Sequence, residues 1–503
     1  MKLLVFAIAV ALYLPTAQYG FVQDDRLIVE NNPTVHSLAL AVHGFGEPYW
    51  PPPNQGGLYR PLTILTYAVD WLVGGGRGWL FHIMNAVWNG LAAVLVMVVF
   101  QRWLTGVGVA AAGLVFAVHP VHVEAVAGIV GRADLLATIG ILGAILCARR
   151  GAWAGTLGCA AVAMLSKEYG VVVGPLILLD DWLQPPDARR HSTRLYVAIG
   201  ALTVAYFVVW MKIGAAAGAD VAAPFVTPGV GRRLAVALPA VARAGQLLVW
   251  PVDLSADYGP QVIPVRSGLS AAAILGVSVI LATVWLAVRA RRAFAGVTLG
   301  IAAGAFCYLP TSNLFFPSGV VLAERNLYVA VAIVAAGLGY ALARVEQRWG
   351  ARRAWIVAAL VVAILAGRSF VRLPAWRDNR SFLLTLLADH PESYHAHASA
   401  AAVLAGMHDT ASARAEYARA DSLFPADPQF LGAYALFLAG LNDPRAAGIA
   451  ARARAIRTRE TDAIRAQFLT HVRAGDVDSA RALADTAITW SPWLKPWYQQ
   501  YLR

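Results

Sequence analysis

Five short stretches of this sequence carry ionisable side chains in patterns that could do chemistry. The first is Phe21-Val-Gln-Asp24-Asp25-Arg26. Adjacent carboxylates repel each other's charge, which raises the proton affinity of one and suits it to act as a base. The same pair could hold a cation, or stand as hydrated acids at a membrane surface. In Leu58-Tyr59-Arg60-Pro61-Leu62-Thr63, the Arg60 fork fits a phosphate bidentately, with a lipid headgroup as the plainer partner. Pro61 suits the first turn of a helix. The densest stretch runs from His119-Pro-Val-His122-Val-Glu124 to Gly131-Arg132-Ala-Asp134, five ionisable groups within 16 residues. His119, His122 and Glu124 could ligate zinc, although Pro120 disturbs the helix that would align them; a hydrogen-bonded loop is the alternative. Ser166-Lys167-Glu168-Tyr169 offers an ammonium for a phosphate, or a pair for the preceding stretch. Ala323-Glu324-Arg325-Asn326 follows Pro310-Thr-Ser-Asn313 and brings one more acid–base couple. Cys147, Cys159 and Cys307 lie in apolar segments and form neither a disulfide framework nor a zinc pattern.

The elements that must position these groups are membrane helices. Of 503 residues, 58% are hydrophobic and 14% charged, too few charges to solvate a globular surface of this size. The apolar residues come in blocks that match the roughly 20 residues of a membrane helix. The fold expected is all-α: a polytopic bundle of about 11 spans near 1–19, 80–100, 107–125, 133–148, 152–166, 169–183, 194–213, 269–288, 295–310, 327–343 and 354–370. Met1 to Gly20 reads as a retained helix, because no small-x-small cleavage site follows its apolar run. With Met1 in the cytoplasm, the basic stretches Gln101-Arg102, Arg149-Arg150, Asp187 to Arg194, Arg289 to Arg292 and Arg344 to Arg353 all fall inside, as the positive-inside rule requires. That count treats Leu234 to Trp250, which carries Arg243 and Gln246, as an interfacial or re-entrant helix. The net charge of +12 then reflects topology, not nucleic-acid binding. Loops 21–79, 214–268 and 310–326, the first with the proline-rich Pro48 to Pro53, share the non-cytoplasmic face with all five reactive stretches.

The division expected is a membrane domain over 1–373 and a second domain over 374–503. Beyond Trp376 the composition turns to Ala, Arg, Asp and Tyr, and a repeat emerges. Leu404-Ala-Gly406-Met-His-Asp409 returns as Leu438-Ala-Gly440-Leu-Asn-Asp443 and more weakly as Arg473-Ala-Gly475-Asp-Val-Asp478. This is the tetratricopeptide period; simple alanine-rich hairpins are the alternative. Each Gly is expected to end a helix in a left-handed cap and the following Asp to begin the next. Ala411, Ala415 and Ala418 are expected between paired helices, and Pro391, Pro425 and Pro492 at the ends of pairs.

In order along the chain, Asp24-Asp25, Tyr59-Arg60-Pro61-Leu62-Thr63, Phe81-His82-Ile-Met-Asn85, the stretch His119 to Asp134, Met164-Leu-Ser-Lys167-Glu168 and Asn313-Leu-Phe-Phe-Pro317 to Ala323-Glu324-Arg325 resemble the transmembrane and tetratricopeptide-repeat O-mannosyltransferase family, of the glycosyltransferase C superfamily. The resemblance covers essentially the whole chain. It implies an inverting transferase that takes a sugar, mannose in this family, from a lipid-phosphate donor and delivers it to a protein hydroxyl on the non-cytoplasmic face. It assigns the base to Asp24 or Asp25, and the donor's phosphate and sugar to Arg60, His122, Arg132, Lys167 and Arg325. Tyr59, His119, Glu124, Asp134, Glu168 and Glu324 would orient these groups. It implies no certain cofactor and leaves a divalent metal open. The expected partners are a polyprenyl- or dolichyl-phosphate sugar, membrane lipid and a protein acceptor contacted by the repeats. The Ala-, Gly- and Arg-rich composition points to a GC-rich bacterial genome, hence an inner membrane and polyprenyl phosphate. Two departures stand out: a short repeat array, and Ser255-Ala-Asp257-Tyr258 where the family would carry an Asp-Trp pair. Two other classes compete. One is a non-catalytic scaffold recruiting a partner through its repeats. The other is a transporter, which would show two matching halves with broken spans; no such symmetry is visible.

Overall fold

The computed structural model describes residues 1–51, 57–184, 191–214, 221–226, 229–264, 268 and 270–502, and among them every regular element is a helix. Pro52, Pro53, Asp187, Arg189 and Arg190 of the stretches above lie outside the described residues. Among the described residues, five helices are long and apolar enough to cross a membrane, Gly78–Phe100, Ile129–Arg149, Thr193–Ile213, Ala271–Ala293 and Ala351–Trp376, and a sixth span is added if the bent pair Gly106–Val118 and Pro120–Ala127 counts as one. The chain is an integral membrane protein. Other expected spans fall on shorter helices, among them Lys2–Tyr13, Trp153–Ser166, Val173–Trp182 and Ala295–Tyr308. Val230–Val249 is a continuous helix with Pro239 inside it and is not among the five.

Apolar helices surrounded by lipid gain little from the hydrophobic effect when they meet, so close backbone approach at small residues holds them. The contacts follow that rule. A side chain on Gly108 would lie 2.4 Å from the Gly339 carbonyl oxygen, and one on Gly339 would lie 2.7 Å from that of Gly108, which joins Gly106–Val118 to Val331–Trp349. Gly140 meets the backbone of Cys159 and Ala163 in the hairpin Arg132–Arg149/Trp153–Ser166. The ring of Phe6 occupies the space beside Gly90, locking the first helix against Gly78–Phe100.

The expected span 107–125 is not one helix. Gly106–Val118 stops at His119, whose backbone is extended (φ −64°, ψ 131°), and the chain resumes after Pro120 in a segment bent by 42°. Proline supplies no amide hydrogen and pushes its predecessor out of the helical region. The break carries the short helix Val123–Ala127 inward, and the tight turn Ile129–Gly131 then leads into Arg132–Arg149.

Three helix pairs follow one another near the C-terminus: Tyr394–Gly406 with Thr410–Leu423, Pro428–Gly440 with Arg445–Ile456, and Thr461–Arg473 with Val477–Trp490. Asp409 and Asp476 cap the second helices by accepting the Ser412 and Ser479 amides, as expected. The glycine expectation fails in two of three copies. Gly406 and Gly440 end their helices without a positive φ, and the left-handed residues are His408 (φ 61°), Asn442 (φ 60°) and Gly475 (φ 73°). The structural repeat is therefore His408-Asp409, Asn442-Asp443, Gly475-Asp476. Asn is the residue after Gly that tolerates this conformation best, which hid the register. Ala411, Ala415 and Ala418 face solvent, while Ala413, Tyr417 and Ala420 are buried between helices.

Leu373, Ala375 and Trp376, with Phe382 and Leu386 of the helix Asn379–Asp389, pack into the core of the membrane bundle; the second core begins at Tyr394. Gly131 holds the turn before Arg132 so tightly that a Cβ would stand 2.2 Å from the Ala125 carbonyl oxygen. Gly131→Ala is expected to cost about 1–3 kcal/mol and to lower the thermal midpoint of the detergent-solubilised protein. An unchanged midpoint would show that the turn relaxes freely.

Candidate functional site

Asp24 and Asp25, alike in sequence, are unlike in structure. Asp25 is buried, and its carboxylate accepts the Val22 amide (3.2 Å) and the Val130 amide (2.9 Å). It thereby ties the first inter-helix loop to the 129–131 turn. Burial pushes its pKa up to about 7 despite those two bonds. Asp24 is only half-buried and, among the described residues, has neither a hydrogen-bond donor nor an ion-pair partner. Its charge is felt by Arg325. The residue before it, Gln23, is left-handed (φ 51°), so the chain turns sharply between the two anchored ends of this segment.

Three neighbouring cations, of which Arg325 senses Asp24, each sit on their own carboxylate. Arg60 makes a bidentate pair with Glu168 (2.8 and 3.1 Å) and lies over the Tyr49 ring. Lys167 reaches both oxygens of Asp134 at 2.7 Å, and the Tyr169 hydroxyl donates to the same carboxylate. Arg325 pairs with Glu124 through its guanidinium and its own backbone amide (2.9 Å). The cations sense one another: burial, opposed by Asp134 and reinforced by Arg60 and Arg325, lowers the proton affinity of Lys167. Burial alone would raise the Glu168 pKa, but Arg60 outweighs it and holds the group ionised. Pro61 at the first position of Pro61–Gly74 and the break after Ser166 bring Arg60 and Glu168 together. The Tyr59 amide donates to Glu168, and its hydroxyl to the Phe45 carbonyl.

Arg132 does not join them. It is fully enclosed (0% exposed), donates to Asn85 and to the Phe81 and Thr66 carbonyls, and forms an ion pair with Asp70 at 2.6 Å, with its guanidinium over Tyr67. It braces three helices and has no face for a ligand. His119 and His122 are enclosed too: His119 Nε2 contacts the Leu248 carbonyl, and His122 Nε2 the Tyr328 carbonyl. Their rings and Glu124 serve different partners, so the zinc arrangement does not form. Among the described residues, no three His, Cys, Asp or Glu side chains gather around a common point. Glu324 turns away from Arg325 and accepts the Ser255 amide and the Tyr258 hydroxyl, both at 2.7 Å. Burial raises its pKa to about 8.

Sequence reasoning missed Asp70, whose only signal was an acid in an apolar helix, and gave Asn85 no role. It also missed the links to the repeats. Asp257, beside Tyr258, accepts from Ser393 (3.0 Å) and pairs with His395 (3.0 Å). Burial disfavours a charge on His395, but Asp257 and Asp427 outweigh it and keep the ring protonated.

No family model matches the chain. It is 27% identical to Protein O-mannosyl-transferase Tmtc1 of Drosophila melanogaster over 76% of its own length and 57% of that protein's. It is 27% identical to a Protein O-mannosyl-transferase of Caenorhabditis elegans, over 85% of the chain and 63% of the relative. With Protein O-mannosyl-transferase TMTC3 of Homo sapiens it shares 25% identity over 76% of the chain and 47% of that protein. The chain therefore spans 47% to 63% of the length of these relatives.

Two measurements separate the braces from the exposed pairs. Arg132→Met leaves Asp70 buried and unpaired, and is expected to cost about 3–5 kcal/mol. Arg26→Met, whose pair with Glu30 is open on both sides (53% and 37% exposed), is expected to shift the thermal midpoint far less; equal losses would contradict the distinction. The second concerns Asp25. Folded protein keeps this proton up to about pH 7, whereas an unfolded aspartate loses it near ~4. The carboxyl's contribution to stability is thus complete below about pH 4 and is withdrawn as pH rises through about 7. The wild-type midpoint should fall more steeply than that of Asp25→Asn between about pH 5 and about pH 8; parallel curves would contradict it.

Proposed function

We infer that this chain, a relative of the protein O-mannosyl-transferases, is a membrane glycosyltransferase that moves a sugar from a lipid-phosphate donor to a hydroxyl of a protein, with Asp24 as its base. The observation that carries the reading is the unpaired carboxylate of Asp24, whose charge reaches Arg325 without forming an ion pair, in a cluster where the other acids described already hold a cation or a backbone amide. A group committed to two amides, as Asp25 is, has little freedom to accept a substrate's proton; Asp24 has that freedom.

The chemistry follows from the arrangement. Asp24 takes the proton of the acceptor hydroxyl as its oxygen attacks the anomeric carbon. The bond from that carbon to the phosphate oxygen breaks, and the lipid phosphate leaves with the electron pair. Arg325 is the most open of the three cations and is suited to meet the growing charge, with Arg60 and Lys167 behind it. Glu124, Asp134 and Glu168 fix where the cations point. Displacement from the face opposite the phosphate inverts the anomeric centre. His119, His122 and Arg132 have no part in binding the donor on this reading; they shape the turn that presents Glu124 and Asp134. The remaining proposals are those of the sequence: about 11 spans, a cytoplasmic N-terminus, tetratricopeptide-like repeats on the opposite side that contact the protein acceptor, and polyprenyl phosphate as the lipid carrier.

The test is sugar transfer in detergent from polyprenyl-phosphate-mannose to a mixture of Ser/Thr peptides. Asp24→Asn is expected to lose about 10²–10⁴-fold in turnover while keeping the wild-type thermal midpoint. Full activity in that variant would remove Asp24 as the base. Folded wild-type protein that turned over no lipid-phosphate sugar would leave the scaffold reading in its place.

A further inference from the structure

The carboxylate assigned as base sits one residue after a strained backbone. Gln23 has φ 51°, a conformation that costs a side-chain-bearing L-residue about 1–2 kcal/mol. Such residues persist only where the surroundings over-determine them. The constraints on this one come from both ends. On the C-terminal side, Asp25 closes a tight turn by accepting the Val22 amide, and its other oxygen fastens the turn to Val130. On the N-terminal side, the Gly20 amide donates to the Arg377 carbonyl (3.0 Å). At the strained residue itself, the Gln23 amide donates to Asn379 Oδ1 at 2.9 Å, across 356 positions of sequence.

Asn379 is placed firmly enough to impose a conformation. It is the first residue of Asn379–Asp389, whose start is capped by Asp378 accepting the Ser381 amide at 2.7 Å. Immediately before it, Trp376 is buried against Phe382 and beside Gly128, in the same turn that Asp25 holds through Val130. The segment 376–379 thus braces the base from two directions: Trp376 backs the 128–131 turn, and Asn379 fixes the Gln23 peptide. Asp24 has no hydrogen bond of its own to hold it among the described residues, so its placement is inherited from these backbone contacts.

We propose that Asn379 is a positioning residue for the transfer reaction: its side-chain oxygen holds the Gln23 backbone left-handed and so sets Asp24 at the acceptor hydroxyl. This rests on Asp24 acting as the base. A base displaced by about 1 Å loses on the order of 10²-fold in rate while substrate contacts elsewhere persist. The effect therefore belongs in kcat and not in KM.

The experiment uses the full chain in detergent, polyprenyl-phosphate-mannose and one Ser/Thr peptide taken as acceptor by the wild type. Asn379→Ala is expected to lower kcat about 10–100-fold, with the acceptor KM and thermal midpoint near wild type. Asn379→Asp keeps an oxygen for the Gln23 amide and is expected to restore most of the rate. Gln23→Gly removes the steric penalty of positive φ, so adding it to Asn379→Ala should recover part of kcat. An Asn379→Ala enzyme with undiminished kcat would overturn the proposal. So would a loss confined to KM, or one matched by a drop in midpoint and not rescued by Asn379→Asp. Failure of the functional reading looks different: wild-type protein is then inactive, or Asp24→Asn is as active as wild type.

Discussion

The Arg132 guanidinium is cut off from water, and that single burial organises the bundle around it. An unpaired charge in such surroundings is prohibitively costly, so the fold must deliver acceptors to it. It does so from separate elements: Asp70 and the Thr66 carbonyl from Pro61–Gly74, and Asn85 with the Phe81 carbonyl from Gly78–Phe100. Asn85 then spends its amide hydrogens on the carbonyls of Gly128 and Ile129, and Tyr67 donates to Ile129 as well. The irregular turn before Arg132 owes its shape to these bonds. The same turn supplies the Val130 amide that holds Asp25.

Outward from this brace, charge is arranged in pairs that become more open. Arg132–Asp70 is sealed, Lys167–Asp134 nearly so, Arg60–Glu168 partly open, and Arg325–Glu124 the most open on its cationic side. Paired cations of this kind are pre-oriented without being neutralised in their outward field, which is how a site recognises a phosphate without reorganising as charge develops. Asp24 is the acid left over, and its freedom is a consequence of every neighbouring acid having a partner.

Much of this was legible in the residues. The all-helical class, the disturbance of the helix at Pro120 and the helix start at Pro61 follow from residue type and spacing, whereas the family resemblance is what drew Arg60, Lys167, Glu168, Glu124 and Arg325 into one set. What was not legible depends on contacts between distant segments. No local pattern tells Asp24 from Asp25, because the difference is a hydrogen bond to Val130 and a left-handed Gln23. Arg132 read like the other cations because the acid that claims it, Asp70, sits 62 positions earlier in an apolar helix. The repeat register was misread for a local reason: His408 and Asn442 take the left-handed position that glycine takes only in the third copy.

The bond between Gln23 and Asn379 also sets an order of events during biosynthesis. The partner that completes the turn before Asp24 is made 356 residues after Gln23, roughly 20–70 s later at ordinary translation rates. Through that interval the apolar helices can insert and pack, since the Arg132 brace draws only on residues up to 132. The segment carrying Asp24 stays unfinished until the chain beyond Ala351–Trp376 folds back onto it. A nascent or shortened chain that stops before Asn379 can therefore be membrane-inserted and well packed while Asp24 is still unplaced.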